Sequence, residues 1–197
     1  LVVGEDAICC ALGESLVASV LPGWHLAGPS INTAGVTRLA SRIPRYQELA
    51  RHLHPVLCIG DTDGRCPVLL RSRWLAKPVP DEFLLRLAVP EAESWLLADH
   101  QGFARTFKVS PNRIPSALDQ VNDPKQLLLS LVSRSTVRRY REEVLSGNDP
   151  TRRGSGYNLH LSQFVHSGWD GIRAMDRSVS LRRAVRCLEG FAGKGGG

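Results

Sequence analysis

Apolar positions in the first hundred residues follow two alternating rhythms. Short, mostly apolar runs occur at 1–3, 24–27, 56–59 and 83–89, and each reads as a strand. The last is interrupted only by Arg86. Between the runs, apolar residues recur every three or four positions: Ile8, Leu12, Leu16 and Val20, then Leu39, Ile43, Tyr46, Leu49 and Leu53, then Leu69, Leu70 and Trp74. Such spacing lays an apolar face along a helix. It predicts helices over 7–21, 36–53 (broken at Pro44), 67–76 and 91–99, with a loop over 28–35. Strands alternating with helices predict an α/β fold on a mainly parallel four-stranded sheet with flanking helices. The run at 56–59 has no polar position, as expected of a strand covered on both faces.

Beyond Gly102 the pattern changes, and no further strand is expected. Asp123 and Pro124 suit the cap and first turn of a helix over 124–132. Further helices are expected over 157–166 and 178–191, with a polar loop over 146–156. The expected architecture is an α/β domain over 1–104, then an Arg-rich, all-α lobe over 105–197 ending in a disordered Gly-rich tail at 193–197.

The candidate chemistry lies where strands end. In parallel α/β sheets, sites form beyond the C-terminal ends of the strands. Glu5 follows the first run, Asp61 and Asp63 the third, and Glu91 and Glu93 the fourth, so these acids are expected on one edge although distant in sequence. Asp61-Thr62-Asp63-Gly64 admits two readings at this point. The carboxylates converge on a hard cation such as Mg²⁺ or Mn²⁺, or they cap a turn. Glu91 and Glu93 either hold an ion or face the N-terminal end of their helix. Because i and i+2 diverge on a helix, one of the two is expected to face the metals, and Glu91 is the nearer to the strand end.

Charge adds a partner. The net charge is +6, with 9 Lys and Arg against 11 Asp and Glu in residues 1–100, and 16 against 8 in residues 101–197. An acidic half beside an Arg-rich half suggests metal chemistry next to a polyanion. The candidate nucleic-acid contacts are Lys125, Arg138, Arg139, Arg141, Arg152, Arg153, Arg182, Arg183 and Arg186. For Lys125 a solvated first-turn lysine is an equal reading. Five cysteines without a CxxC pair argue against a disulfide framework or a zinc site and for a reducing cytoplasm. No secretory signal or membrane span is visible, and Leu1-Val2-Val3 reads as the middle of a strand, so native residues are expected ahead of it. The six histidines show no ligand spacing, and Trp74 and Trp95, spaced with leucines, read as core. There is no GxSxG elbow and no P-loop lysine, so nucleotide hydrolysis would have to come from a partner. A DxDG turn also resembles the haloacid-dehalogenase nucleophile motif and the DxD of nucleotide-sugar glycosyltransferases. The former expects it on the first strand with a later acid pair, and the latter needs a nucleotide-binding half that this chain is too short to hold.

A strand ending in Glu5 and a later strand ending in Asp61-Thr62-Asp63 resemble the Toprim fold of topoisomerases, primases and overcoming-lysogenization-defect nucleases. Leu87-Ala88-Val89-Pro90-Glu91-Ala92-Glu93-Ser94-Trp95-Leu96-Leu97-Ala98-Asp99 more narrowly resembles a bacterial Toprim-like family, the domain-of-unknown-function family 4276. Asp123-Pro124-Lys125, Tyr157-Asn158 and Ser180-Leu181-Arg182 resemble its C-terminal pattern, so the likeness spans nearly the whole chain. The resemblance implies a Toprim-like (Rossmann-like) domain with Glu5, Asp61, Asp63 and Glu91 catalytic. It implies Mg²⁺ or Mn²⁺ held by these and Glu93, cleavage of phosphodiester bonds in DNA or RNA, and a role in anti-phage defence with an AAA- or ABC-type ATPase. The alternative is a non-catalytic Toprim-like scaffold or sensor that binds the ATPase. The oligomeric state stays open.

Overall fold

Val2 and Val3 point to opposite sides of the same strand and into different cores, which is the two-residue period of a sheet buried on both faces. A computed structural model describes residues 1–147 and 149–193. Four parallel strands, β1 (Val2–Gly4), β2 (Ile31–Asn32), β3 (Val56–Asp61) and β4 (Phe83–Ala88), form one sheet in the order β2-β1-β3-β4. This mixed α/β arrangement is compatible with a Rossmann-like fold. Helix α1 (Ala7–Val20) covers one face through Ile8, Leu12 and Leu16, which meet Val2, Leu57 and Ile59. Helices α2 (Val36–His52) and α3 (Pro67–Trp74) cover the other, where Leu39, Ile43, Tyr46 and Leu70 join Val3, Cys58 and Leu85.

Helix α4 (Ala92–Ala98) follows β4 and is buried along its whole length. Next come α5 (His100–Phe107), α6 (Pro124–Val132), α7 (Arg138–Glu143), α8 (Tyr157–Ser167), α9 (Gly171–Ala174) and α10 (Val179–Ala192). Helices α8 and α10 pack against α1, and α10 also reaches β4. One apolar core therefore runs from Val2 to Leu188, across residue 104. Among the described residues no helix is long and apolar enough to cross a membrane.

Four expectations differ from the structure. The second strand lies at Ile31–Asn32, inside the expected loop, and not at 24–27. It makes only two pairings with β1, too few for a period to be legible, while Trp24 packs on Phe191 with ring centroids 5.3 Å apart. Pro44 does not break α2. It lies on the exposed side of the helix, and buried Ile43, Tyr46 and Gln47 hold the helix on the sheet. The segment beyond 102 is not all-α: β5 (Leu145–Ser146) and β6 (Asp149–Arg153) form an antiparallel hairpin. Only Leu145 in it is buried, so no apolar alternation announced it. The helix expected at 91–99 stops at Ala98, and Asp99 instead caps α5 by accepting from the Gly102 amide at 3.0 Å. The expected disordered tail falls, beyond Gly193, outside the described residues.

Candidate functional site

The strand ends set the geometry. Parallel pairing of β1 with β3 matches Gly4 to Ile59, and the Glu5 amide donates to the Ile59 carbonyl at 2.9 Å. This brings Glu5 beside the end of β3, where its Oε2 accepts the Asp61 amide at 3.0 Å. Gly60 makes the approach feasible. A Cβ there would lie 2.7 Å from Leu39 Cδ2 and 3.4 Å from Glu5 Oε2. Asp61 accepts a long contact from the Cys9 thiol at 3.9 Å. The intervening Thr62 is fully buried and anchors the turn to the exit of β4. Its amide donates to the Ala88 and Pro90 carbonyls at 3.1 Å each, and its hydroxyl to Pro90 at 3.1 Å. Asp63 then adopts a left-handed backbone (φ 48°) and faces solvent, with Oδ2 2.9 Å from Arg65 Nη2. The two aspartates thus differ: Asp61 is turned inward, and Asp63 is held at the surface.

Past β4 the chain enters α4. Glu91 occupies its cap position but makes no side-chain cap bond, and Glu91 Oε2 is buried without a hydrogen-bond partner. Glu93, in the first turn, is 4% exposed and accepts from the Tyr157 hydroxyl at 2.6 Å. Lys125, in the first turn of α6, reaches both acids: Nζ lies 3.7 Å from Glu91 Oε1 and 4.0 Å from Glu93 Oε1. The lysine considered for phosphate therefore sits within the carboxylate group.

These side chains act on one another electrostatically. Burial pushes the Asp61 carboxyl well above the usual carboxylate range, and the charges of Glu93, Glu5, Asp6 and Asp63 add to it. Burial also raises Glu5, opposed by the hydrogen bond from the Asp61 amide. Glu91 is raised by burial and by Glu93, with Lys125 acting against them. Burial alone would lower Lys125, but Glu93, Glu91 and Asp61 outweigh it and hold the ammonium above its ordinary value. Of the α4 pair, then, it is Glu93 whose charge bears most strongly on Asp61. Burial and the hydrogen-bonded Glu93 carboxylate raise the Tyr157 phenol well above its usual value.

The remaining cations are dispersed. Arg138 and Arg139 pair with Glu142 at 2.6 Å and Glu143 at 2.9 Å within α7, and Arg141 donates to the Ser135 carbonyl. Arg152 and Arg153 are exposed on β6, Arg183 and Arg186 on α10, and Arg182 donates to the Asp176 carbonyl at 3.0 Å. The string from Glu91 to Asp99 divides by role. Glu91 and Glu93 face the site, whereas Trp95 Nε1 donates to Ser180 Oγ at 2.8 Å and fully buried Asp99 binds Arg173 Nε and Nη2 at 2.6 Å each. Sequence reasoning assigned no role at the site to Cys9 or Arg65. The contact of Tyr157 with Glu93 spans 64 positions, and no local spacing announces it.

The donor chemistry suits a hard cation, since carboxylate oxygens predominate, one buried carboxylate oxygen on Glu91 is unpartnered, and burial, with the neighbouring carboxylates adding to it, raises Asp61. Yet among the described residues no three His, Cys, Asp or Glu side chains are gathered closely enough to hold a metal ion. Comparisons with protein-family models, with curated proteins and with solved structures each find no match to this chain.

Proposed function

We propose that the chain is a Toprim-like, divalent-metal-dependent nuclease that cleaves phosphodiester bonds in DNA or RNA. The observation that carries this reading is the Glu5 carboxylate resting on the Asp61 amide at 3.0 Å, with Asp61 turned inward and coupled to Glu93. Asp61 with Glu5, Asp63 and the α4 acids would have to draw closer together to hold Mg²⁺ or Mn²⁺; the ion would then supply an activated water and positive charge for the leaving oxygen. Before a cation binds, burial holds the Asp61 and Glu5 carboxyls above their usual range, the direction that strengthens a carboxylate as a base. Lys125, a half-buried ammonium beside three acids, fits the role of holding a phosphate oxygen close to them. A role in anti-phage defence, with an AAA- or ABC-type ATPase as partner, rests on the sequence resemblance and on the lack of a nucleotide-hydrolysis motif.

The test is incubation of plasmid, single-stranded DNA and tRNA with the protein and Mn²⁺, beside an Asp61→Asn variant. Cleavage by the parent and not by the variant supports the reading; equal products from both remove it.

A specific observation favours a second reading, a non-catalytic scaffold that binds the ATPase. Lys125 and Arg65 already pair with Glu91 and Asp63, so part of the acidic charge is balanced from within the chain. Calorimetry separates the two readings, because a scaffold binds neither Mg²⁺ nor Mn²⁺, whereas a nuclease binds at least one and loses it in Asp61→Asn.

A further inference from the structure

Arg86, the charged residue in an otherwise apolar strand, has no part in the carboxylate site. On β4 it shares a face with Leu84, which packs against the core that includes α10. A guanidinium thus occupies a position where an aliphatic side chain would complete the pattern. Its Nε is buried and has no hydrogen-bond partner. Burial is the main influence on its charge and lowers its pKa; the neighbouring groups that act on it are the Cys187 thiol and a second guanidinium, Arg71. Arginine remains charged under all ordinary conditions, and a half-buried charge without a counter-ion carries a desolvation cost.

The surroundings supply more positive charge. β4 is the outermost strand, and beside it, between α3 and α10, lies a pocket of about 130 Å³ lined by Arg71, Arg86, Leu87, Val89, Ser180 and Arg183. Arg71 is held in place by donating to the Leu85 carbonyl at 2.7 Å. Three arginines, with apolar Pro67, Val68 and Leu85 beside them, therefore border one concavity whose lining holds no acidic residue. A single carboxylate would leave this charge largely unbalanced. A phosphate group carries several acceptor oxygens that match guanidinium forks. The pocket also shares Val89 with a cleft lined by Thr62, Gly64, Arg65 and Pro90, at the turn that follows Asp61.

We propose that the Arg71, Arg86 and Arg183 pocket is a phosphate-binding site. The phosphate belongs either to a nucleic-acid strand that passes on to the carboxylate edge or to free phosphate. The first source rests on the nuclease reading; the site itself does not.

The experiment is done in EDTA, so that cleavage and metal binding play no part. Inorganic phosphate and a short single-stranded oligonucleotide are titrated separately into the full chain, into Arg86→Met and into Arg183→Gln. Methionine keeps the length and packs between β4 and α10; the Arg183 change is at the surface and leaves folding undisturbed. Each variant is expected to weaken inorganic phosphate about tenfold, the loss of one charged hydrogen-bond partner. If the oligonucleotide weakens as well and its salt slope drops by about one, the phosphate is that of a nucleic acid. If only inorganic phosphate weakens, free phosphate is the ligand. Unchanged affinity for both ligands in both variants, or no binding of either by the parent, overturns the site. Loss of cleavage in Asp61→Asn with phosphate binding retained separates this site from the nuclease reading.

Discussion

Glu5 and Asp61, 56 positions apart, meet at adjacent strand ends, where the Glu5 carboxylate accepts the Asp61 backbone amide at 3.0 Å. The bond positions one acid by the main chain that carries the other. Glu5→Gln preserves the size of the side chain but exchanges a charged acceptor for a neutral one. It is expected to reduce metal-dependent cleavage at least about tenfold, since a charge-assisted bond is the stronger kind, while leaving nucleic-acid affinity in EDTA unchanged. Single-turnover cleavage beside a binding titration checks this.

Stability should fall as pH rises. Burial first, then the neighbouring carboxylates, raise Asp61; burial chiefly raises Glu5 and Glu91. A raised carboxyl pKa means that the folded state holds protons the unfolded state has released, so the dependence of unfolding free energy on pH is negative. The contribution is complete below the unfolded carboxylate pKa of about 4 and is lost as pH climbs through the raised folded values. Without metal, Asp61→Asn should melt higher than the parent at pH 8, and the gap should close toward pH about 4. Parallel melting curves for the two proteins across that range would contradict the electrostatic account.

Tyr157→Phe removes the donor to buried Glu93. The expected cost is about 1–3 kcal/mol, the penalty for an unsatisfied buried acceptor. Urea unfolding measures it. A cost near zero would mean that Lys125, 4.0 Å away, satisfies Glu93 by itself.

Arg173→Met leaves Asp99, which is 0% exposed, without its two-pronged partner. The Gly102 and Asp170 amides remain as donors. Leaving the buried Asp99 carboxylate with amide donors alone is expected to cost about 1–3 kcal/mol and to loosen α9 from α4. Denaturant unfolding, with hydrogen exchange at Asp170 and Arg173, tests both parts.

The α7 arginines provide a contrast with Arg86. Because Arg138 and Arg139 are engaged with Glu142 and Glu143, reversing Arg138, Arg139 and Arg141 to glutamate frees bound phosphates only if those pairs open on binding. If they do, the salt dependence of duplex binding becomes shallower by about 0.9 for each phosphate no longer neutralised. An unchanged slope would remove α7 from the nucleic-acid surface and leave the β4 edge as the candidate.

The sequence alone determined the alternation of β1, β3 and β4 with α1, α2 and α3, because buried strands and amphipathic helices write their periods directly into residue order. It also put Glu5, Asp61 and Glu91 at strand or helix junctions, since chain order settles which side chain stands at the end of a strand. β2 was not legible, because two residues carry no period. The β5–β6 hairpin was not legible either, because Leu145 is its one buried strand residue and its backbone pairing leaves no apolar alternation. Only the tertiary structure decided which acids turn inward. Asp63 is drawn outward by its left-handed backbone and by Arg65, and the buried packing of α4 brings Glu93 near enough for its charge to act on Asp61. Lys125 and Tyr157 reach the acids through the packing of α6 on α4 and α8 on α1. These meetings depend on how helices stack across the molecule, and no local pattern of residues encodes that distance.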